Sequence, residues 1–278
     1  MFNLEHANKV FEHWNVPTEW QHEVNGLIIP FNPEWKSIAV NVSGGADSAC
    51  GTSILAKIIQ DNGYDCKIHF ITHVRVWHNR PWAGPISLDV YNKIKSMFPN
   101  VIGDRLQNYI PPEIEEASVG KDLINGRSGD RIAVDSFNMY CQVMYDLDAV
   151  YNTVTLNPMD PNFHHDSAPH DRVSEPDYTQ NRNPMMWTTN GKYHIHPLKF
   201  VEKDWVMAQY ILHGWEDLMN ITRSCEGDIM MDPKMFVDYT EYVHGETELH
   251  ECGRCFWCAE RTWANESAER KINEARKG

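Results

Sequence analysis

A glycine-containing loop at residues 43–48 (Ser-Gly-Gly-Ala-Asp-Ser) is the feature that most limits how this chain can fold. The residues before it, 37–42, form a short apolar run typical of a buried strand. The residues after it, 46–62, place isoleucines and a leucine on one face of a helix, and Gly63 follows as a helix stop. A strand that turns directly into a helix is typical of α/β proteins with a parallel sheet.

Strand-like and helix-like segments continue to alternate downstream. The further predicted elements are strands at 67–74, 149–156 and 193–196 and helices at 87–98, 131–146, 201–213 and 259–277. Residues 157–190, rich in Pro, Asn, Asp and His, are predicted to form a long loop over the end of the sheet. We expect an α/β fold, a doubly wound parallel sheet, with an N-terminal helical segment (1–35), a main domain (36–215) and a C-terminal helical element (216–278).

Composition and charge limit the classes of partner. No apolar run approaches the roughly 20 residues of a membrane helix, and the N-terminus is too acidic for a signal peptide, so a cytoplasmic protein without a membrane partner is expected. The net charge of −14 disfavours tight nucleic-acid binding, which depends on Lys and Arg displacing counterions from phosphates. A small-molecule substrate is therefore favoured over a large RNA.

The loop has the chemistry of a phosphate site. Its candidate ATP-binding residues are Ser43, Gly44, Gly45, Ala46, Asp47 and Ser48. Main-chain N–H groups at a helix start favour an anion, and the two glycines let the main chain approach it closely. The negative charge of Asp47 would disfavour a bound phosphate unless the carboxylate holds Mg²⁺ or accepts hydrogen bonds that fix the loop. Asp47 therefore indicates a nucleotide bound together with a metal ion. The alternative is a glycine turn that merely joins a strand to a helix.

Four cysteines form a candidate metal site. Cys252, Cys255 and Cys258 have the spacing C-x-x-C-x-x-C, and Cys225 can supply a fourth ligand. Four thiolates and no open position are typical of a structural zinc site. An iron–sulfur cluster or unliganded thiols remain alternatives at this stage, because the same spacing occurs in iron–sulfur proteins.

These motifs carry a family resemblance. Ser-Gly-Gly-x-Asp-Ser after a first strand resembles the PP-loop of the ATP pyrophosphatase superfamily, whose fold is adenine nucleotide alpha hydrolase-like. The tail, with Ser224-Cys225, the cysteine run 252–258 and Arg261, is similar to that of the 7-cyano-7-deazaguanine synthase family. The resemblance extends to 129–131 and to 196–203. The Glu251-Cys252-Gly253 element superficially resembles phosphoadenylyl-sulfate reductases, but the Arg254-Cys255 that follows disfavours thiol redox catalysis.

The resemblance implies a reaction. In that family ATP adenylates the carboxylate of 7-carboxy-7-deazaguanine, ammonia displaces AMP, and further activation yields the nitrile, preQ0, of queuosine biosynthesis. It implies ATP, Mg²⁺ and Zn²⁺ as cofactors and a homodimer, with Asp47, Arg131 and Lys203 as catalytic residues. Arg131 and Lys203 would neutralise charge on the phosphates; the alternative is that either is a surface cation.

Substrate recognition is where the chain departs from the family. Asn157-Pro-Met-Asp160 fits the start of the family's base-binding element, so Asn157 and Asp160 are candidate substrate-binding residues, but 162–172 replace the remainder with a histidine-containing segment. Asp160 could equally be a turn residue between prolines. Two other functions stay open: another PP-loop reaction, such as RNA thiolation or amide formation, and a non-catalytic nucleotide-binding zinc protein.

Overall fold

The computed structural model describes residues 2, 4–13, 15–75, 83–110, 114, 129–165, 186–189, 191–225 and 251–277. Its helices are α1 (Glu5–His13), α2 (Ala46–Asn62), α3 (Ala83–Met97), α4 (Gly129–Met144), α5 (Lys203–His213), α6 (Glu216–Ile221) and α7 (Phe256–Ala275). Its strands are β1 (Gln21–Val24), β2 (Leu27–Pro30), β3 (Ser37–Asn41), β4 (Lys67–Arg75), β5 (Ile102–Ile110), β6 (Ala149–Tyr151), β7 (Met186–Thr189) and β8 (Lys192–Ile195). None of the described helices is long and apolar enough to cross a membrane.

A mixed sheet of strand order β5-β4-β3-β6-β8-β7 forms the centre of the fold. All neighbouring strands in it are parallel except β7, which pairs antiparallel with β8 at one edge. The predicted α/β class with a mostly parallel sheet is confirmed.

Side chains of β3 alternate between two apolar clusters, one on each face of the sheet. Ile38 and Val40 belong to the larger cluster, which includes residues of α2, α3, α5 and α7. Ala39 belongs to a smaller cluster with Ile71 of β4 and Cys141 of α4. Helices therefore cover both faces, as expected for a doubly wound sheet.

Three segments differ from the sequence prediction. Residues 1–35 contain α1 but also the antiparallel hairpin of β1 and β2, so the segment is not helical throughout. The strand predicted at 149–156 ends at Tyr151, and β7 lies inside the segment predicted to be a loop. Residues 166–185 of that predicted loop lie outside the described residues.

Strand β5 is absent from the sequence prediction for a physical reason. It is an edge strand of the sheet, and its side chains alternate between buried and more exposed positions. The most exposed positions carry Asp104, Gln107 and Tyr109, and Gly103 and Asp104 near its start have low strand propensity. An edge strand can tolerate such residues because water solvates its open side.

Candidate active site

The loop at 43–48 lies at the carboxyl end of the central strand β3. From β3 the chain passes to β4 on one side, whereas β6 occupies the other side, so the strand order reverses at this point. In open α/β sheets, ligand-binding crevices form at such switch points, outside the carboxyl ends of the strands. The predicted phosphate loop is therefore in the position where this class of fold binds ligands.

Gly44 fixes the shape of the loop. Its φ of +85° lies in the left-handed region that residues with a side chain rarely adopt. A Cβ atom at this position would lie 2.7 Å from Ile86 Cγ2 and 3.0 Å from the backbone nitrogen of Ser87. The loop therefore packs against the first turn of α3 too closely for any residue other than glycine.

Helix α2 begins in this loop without a side-chain cap. Gly45 is the N-cap residue and, having no side chain, supplies no side-chain cap to the first turn. The first N–H groups of any α-helix have no intrahelical acceptor, and they carry the positive end of the helix dipole. The Tyr210 hydroxyl supports this turn by donating to the Ala46 carbonyl over 2.7 Å, and burial raises the pKa of Tyr210. A supported, uncapped first turn suits an anion.

The two serines of the loop differ in their contacts. The Ser48 hydroxyl, which is buried, donates to the Gly45 carbonyl over 3.0 Å. The half-buried Ser43 Oγ accepts from the Gly45 nitrogen at 3.4 Å, near the limit for a hydrogen bond. Ser48 thus stabilises the loop in this structure, whereas Ser43 is the better placed of the two to contact a ligand.

Asp47 and Lys203, predicted from distant parts of the sequence, are in contact. Lys203 Nζ lies 3.4 Å from Asp47 Oδ1, and the Thr155 hydroxyl donates to Asp47 Oδ2 over 3.1 Å. Asp47 Oδ1 is buried and accepts no hydrogen bond within the described part of the chain. The carboxylate therefore accepts a hydrogen bond from Thr155 on Oδ2 and has an ion pair with Lys203 on Oδ1.

Glu260 completes this charged cluster, and the sequence analysis did not identify it. Its Oε2 accepts a hydrogen bond from Lys203 Nζ at 2.8 Å, and Lys203 and Glu260 are 1% and 0% exposed. The Trp257 ring lies 5.6 Å from the same ammonium. Glu260 stands in a charged helix that looks solvated in sequence, so its only sequence signal is its position two residues after Cys258.

A strap of residues 222–225 joins the loop to the cysteine-containing element. The Arg223 nitrogen donates to the Gly44 carbonyl over 2.9 Å, and Cys225 is two residues further on. The Arg261 guanidinium holds the other end of the strap by donating to the Thr222 carbonyl at 2.8 Å and the Met219 carbonyl at 2.9 Å. The cysteine-containing element therefore forms one wall of the loop.

The four predicted cysteine ligands come together. Their Sγ atoms all lie within 4.8 Å of one another, with Cys252–Cys258 and Cys255–Cys225 each at 3.9 Å. Zn–S bonds of about 2.3 Å in a tetrahedron require sulfur separations of about 3.8 Å. Backbone nitrogens of Cys252 and Cys255 donate to neighbouring sulfurs at 3.3 Å, which stabilises thiolate charge. The four sulfurs are therefore placed so that they could hold a metal ion.

Asn157 and Asp160, the candidate substrate residues, lie on a segment that packs against α7. Asn157 is buried, and Asp160 is half-buried. Asp160 Oδ1 accepts from the Asn162 nitrogen at 2.8 Å, and Oδ2 accepts from Trp263 Nε1 at 3.2 Å. These hydrogen bonds, the one from Asn162 foremost, lower the pKa of Asp160. Oδ1 thus fixes a turn, which is the alternative considered for this residue, and Oδ2 joins that turn to α7.

His165 connects the same segment to the cysteine-containing turn. Its Nε2 donates to the Arg254 carbonyl at 3.0 Å, and its ring lies edge-on to Phe256 at 5.7 Å. Phe163 packs against Phe256 and against Trp263 at 5.8 and 5.7 Å. The segment after β6 is therefore fixed on the start of α7, close to the four cysteines.

Two residues from the sequence analysis lie wholly or partly outside the described residues: Arg131, and His170 of the histidine-containing segment 162–172. The backbone of Arg131 is in the first turn of α4, but its side chain is outside the described part of the chain. His170 also lies outside it. The role assigned to Arg131 therefore stays a prediction.

A cavity of about 430 Å³ lies away from this site. It is bordered by the β1–β2 hairpin, the C-terminal half of α2 and His213. Helix α2 begins at the phosphate loop, so its C-terminal half is at the far end of a helix about 25 Å long. The cavity is distinct from the charged cluster.

Comparisons with known proteins give distant structural likenesses. No family model and no curated protein matches the sequence. A phosphoadenylyl-sulfate reductase from Candida auris in a phosphate complex is similar with 12% identity and a TM-score of 0.35, covering 75% of this chain and 79% of the other. The U34-tRNA thiolase NcsA from Methanococcus maripaludis, with its 4Fe–4S cluster, is similar with 11% identity and a TM-score of 0.45, covering 97% of this chain and 79% of the other. An NAD⁺ synthetase from Burkholderia pseudomallei is similar with 12% identity and a TM-score of 0.38, covering 99% of this chain and 91% of the other. Likenesses this distant do not transfer an activity to this chain.

Proposed function

We propose that this protein is an ATP pyrophosphatase of the PP-loop type that adenylates a carboxylate and converts it to a nitrile, with 7-carboxy-7-deazaguanine and ammonia as substrates. The reaction class is a ligation that forms carbon–nitrogen bonds. A homodimer without a nucleic-acid partner is part of the same proposal, on the family resemblance and the acidic charge.

One observation supports the ATP chemistry above all others. The loop, which requires glycine at position 44, lies at the switch point of the sheet, and its Asp47 forms an ion pair with the buried Lys203. A plain strand-to-helix turn needs neither a buried lysine nor an uncapped helix start. Both features are expected where polyphosphate binds, because fixed cations and main-chain N–H groups stabilise the departing charge.

The chemistry balances over two rounds of activation. The substrate carboxylate attacks the α-phosphorus of ATP and pyrophosphate leaves; ammonia then attacks the acyl carbon, releasing AMP and a proton to give the amide. In the second round the amide oxygen attacks the α-phosphorus of another ATP and pyrophosphate leaves; the nitrogen then loses its two protons as AMP departs, which gives the nitrile. The loop at 43–48 would hold the departing pyrophosphate, with Lys203 offsetting its charge.

The donor set at Asp47 fits a divalent cation. Its Oδ1 is a buried carboxylate oxygen without a hydrogen bond among the described residues. Carboxylate oxygens together with substrate phosphates are the usual ligands of Mg²⁺ in nucleotide sites. Bound there with ATP, Mg²⁺ would neutralise phosphate charge.

The four cysteines would hold Zn²⁺ in a structural role. The sulfur separations fit one tetrahedral ion, and four protein ligands leave no open position for catalysis. In this proposal the ion fixes the strap at 222–225 and the first turn of α7, which carry the contacts to Gly44 and Lys203.

The test is turnover by the purified zinc-loaded protein with ATP, Mg²⁺, ammonia and 7-carboxy-7-deazaguanine. The expected products are AMP, pyrophosphate and the nitrile, all dependent on the deazapurine. A Lys203→Met/Glu260→Gln variant, in which neither member of the buried pair is left charged without its partner, should bind Zn²⁺ normally and lose about 10²- to 10³-fold in turnover, the usual loss for one fixed charge-stabilising group.

Other products would select another function. AMP formed with a different carboxylate or with tRNA, but not with 7-carboxy-7-deazaguanine, would keep the ATP chemistry and reject the substrate. ATP binding without AMP across a panel of carboxylates would indicate a non-catalytic nucleotide-binding protein.

A further inference from the structure

On the face of the sheet that α4 covers, the side chains change from apolar to polar at the carboxyl ends of the strands, just before the phosphate loop. The apolar layer consists of Ala39, Ile71, Leu106 and Val150, all at most 8% exposed. Two residues further along β3, β4 and β5, and so on the same face, stand Asn41, His73 and Asn108, and Asn152 follows directly after the end of β6. None of these four polar residues carries a carboxylate or an ammonium group.

His73 organises three carboxamides into one hydrogen-bonded cluster. Asn108 Nδ2 donates to His73 Nδ1 over 3.1 Å. His73 Nε2 lies 3.1 Å from Asn41 Oδ1 and 3.3 Å from Asn138 Oδ1, the latter on α4. Carboxamide oxygens accept and amide nitrogens donate, so the imidazole carries its proton on Nε2 and accepts on Nδ1. The Phe137 ring lies edge-on at 5.9 Å and supports the imidazole.

Each carboxamide contacts His73 through only one of its two polar atoms, the oxygen or the nitrogen. Among the described residues, no hydrogen bond is made by the amide nitrogens of Asn41 and Asn138 or by the amide oxygen of Asn108. Asn138 is 5% exposed. Asn41 and Asn108 are half-buried. The cluster therefore offers two donors and one acceptor, all uncharged and held by a common partner.

We propose that Asn41, His73, Asn108 and Asn138 form a subsite that reads the edge of an uncharged nitrogen heterocycle. Carboxamides pair with base edges through one donor and one acceptor, as asparagine does with adenine. Asn41 precedes Ser43 by two residues, about 7 Å along an extended chain. A base on this subsite would thus lie within one nucleotide's reach of phosphates on the loop.

The absence of charge on the cluster decides the ligand class. A phosphate or carboxylate subsite is expected to contain Arg, Lys or main-chain N–H groups, and the four members of the cluster have none of these side chains. A purely structural role for a polar layer would be served by groups that satisfy each other fully. Here three amide ends are left over.

The inference rests on the proposed ATP chemistry, and the heterocycle is either the adenine of ATP or the base of the activated carboxylate. Calorimetry in Mg²⁺ on the full-length protein can separate these sources with three probes: ATP, tripolyphosphate and 7-carboxy-7-deazaguanine. The variant is Asn108→Leu, which keeps side-chain size at a half-buried position; Asn138→Leu is the second variant. The control is Gln107→Leu, which removes a carboxamide from the opposite, exposed face of the same strand.

We expect both cluster variants to lose roughly tenfold or more in affinity for ATP or for the deazapurine, which is the size of one lost base contact. Their affinity for tripolyphosphate should be unchanged. Loss for ATP alone assigns the subsite to adenine, and loss for the deazapurine alone assigns it to the acceptor base. Unchanged affinity for both heterocycles, or an equal loss for all three probes, overturns the subsite while leaving the function standing. A wild-type protein that binds neither ATP nor tripolyphosphate overturns the proposed function itself.

Discussion

The ammonium group of Lys203 lies 2.8 Å from the Glu260 carboxylate, and both side chains are almost completely buried. This pair joins α5 to α7, and the same ammonium lies 3.4 Å from Asp47 on the phosphate loop. Burying charges costs free energy unless partners compensate for lost hydration. Lys203 therefore holds its position by ion pairing on two sides, one of them supplied by the helix that starts at the cysteine cluster.

Replacing Glu260 by Gln should destabilise the protein. The change leaves Lys203 buried with Asp47 as its remaining anionic contact, and breaking a buried pair from one side typically costs about 3 kcal/mol or more in free energy of unfolding. Urea denaturation measures this. The double variant Lys203→Met/Glu260→Gln should regain part of the loss, because the two most deeply buried positions then carry no charge. The exposed pair of Lys57 and Asp61 is the control: Lys57→Met should cost about 0.5 kcal/mol or less.

Gly44→Ala should disrupt the loop far more than Gly63→Ala. Both glycines have a positive φ, but a Cβ at Gly63 meets nothing within 4 Å, whereas at Gly44 it meets Ile86 at 2.7 Å. We expect about 1 kcal/mol of destabilisation at Gly63 from backbone strain alone, and a larger loss at Gly44 together with loss of ATP binding. Calorimetric titration with ATP and thermal unfolding measure the two effects. If both variants bind ATP like the wild type, the loop is not the phosphate site.

Stability should fall as the pH falls through the range where His69 titrates. Desolvation lowers the pKa of His69 in the folded protein, and its Nδ1 accepts a hydrogen bond from the Asp104 nitrogen at 3.1 Å. The unfolded chain then takes up the proton first, so stability is lost from about pH 6.5 downward, through the lower folded pKa. His69→Gln should flatten the slope of unfolding free energy against pH in that window. An unchanged slope would show that His69 does not contribute.

Removing one cysteine ligand should release the metal and weaken the loop. Cys255→Ser is expected to abolish stoichiometric Zn²⁺ by elemental analysis, lower the melting temperature and reduce ATP affinity, because the strap at 222–225 contacts Gly44. Cys141→Ser, at a buried cysteine outside the cluster, should keep its zinc. Zinc retained at full occupancy by Cys255→Ser, or iron and labile sulfide in the wild type, would contradict the structural zinc site.

Local signals sufficed to predict the α/β class and the separate parts of the site. The loop motif and the helix after it, with Gly63 as its stop, follow from residues adjacent in sequence, and α2 has the predicted bounds. The cysteine ligands follow from metal-ligand spacing, and the structure brings all four together. The loop, the helix and the cysteine spacing are each determined by residues that lie close together in the sequence.

Relationships between distant residues could not be predicted in the same way. Arg261 is part of the family resemblance and Glu260 is not, but the sequence indicates the partner of neither: Glu260 is buried against Lys203, and Arg261 binds the strap at 222–225. The polar layer around His73 exists only because three strands are in register beside α4. Whether a polar side chain is buried depends on the element that packs over it, and periodicity along the chain does not report that.

The most direct test of adenylation is the exchange of labelled pyrophosphate into ATP, measured with 7-carboxy-7-deazaguanine and without ammonia. Reversible attack of the carboxylate on the α-phosphorus predicts exchange that requires the deazapurine and Mg²⁺ and that disappears in Gly44→Ala and in the double variant Lys203→Met/Glu260→Gln. Absence of exchange, with ADP and phosphate formed instead, would place bond cleavage at the γ-phosphorus and contradict the proposed chemistry.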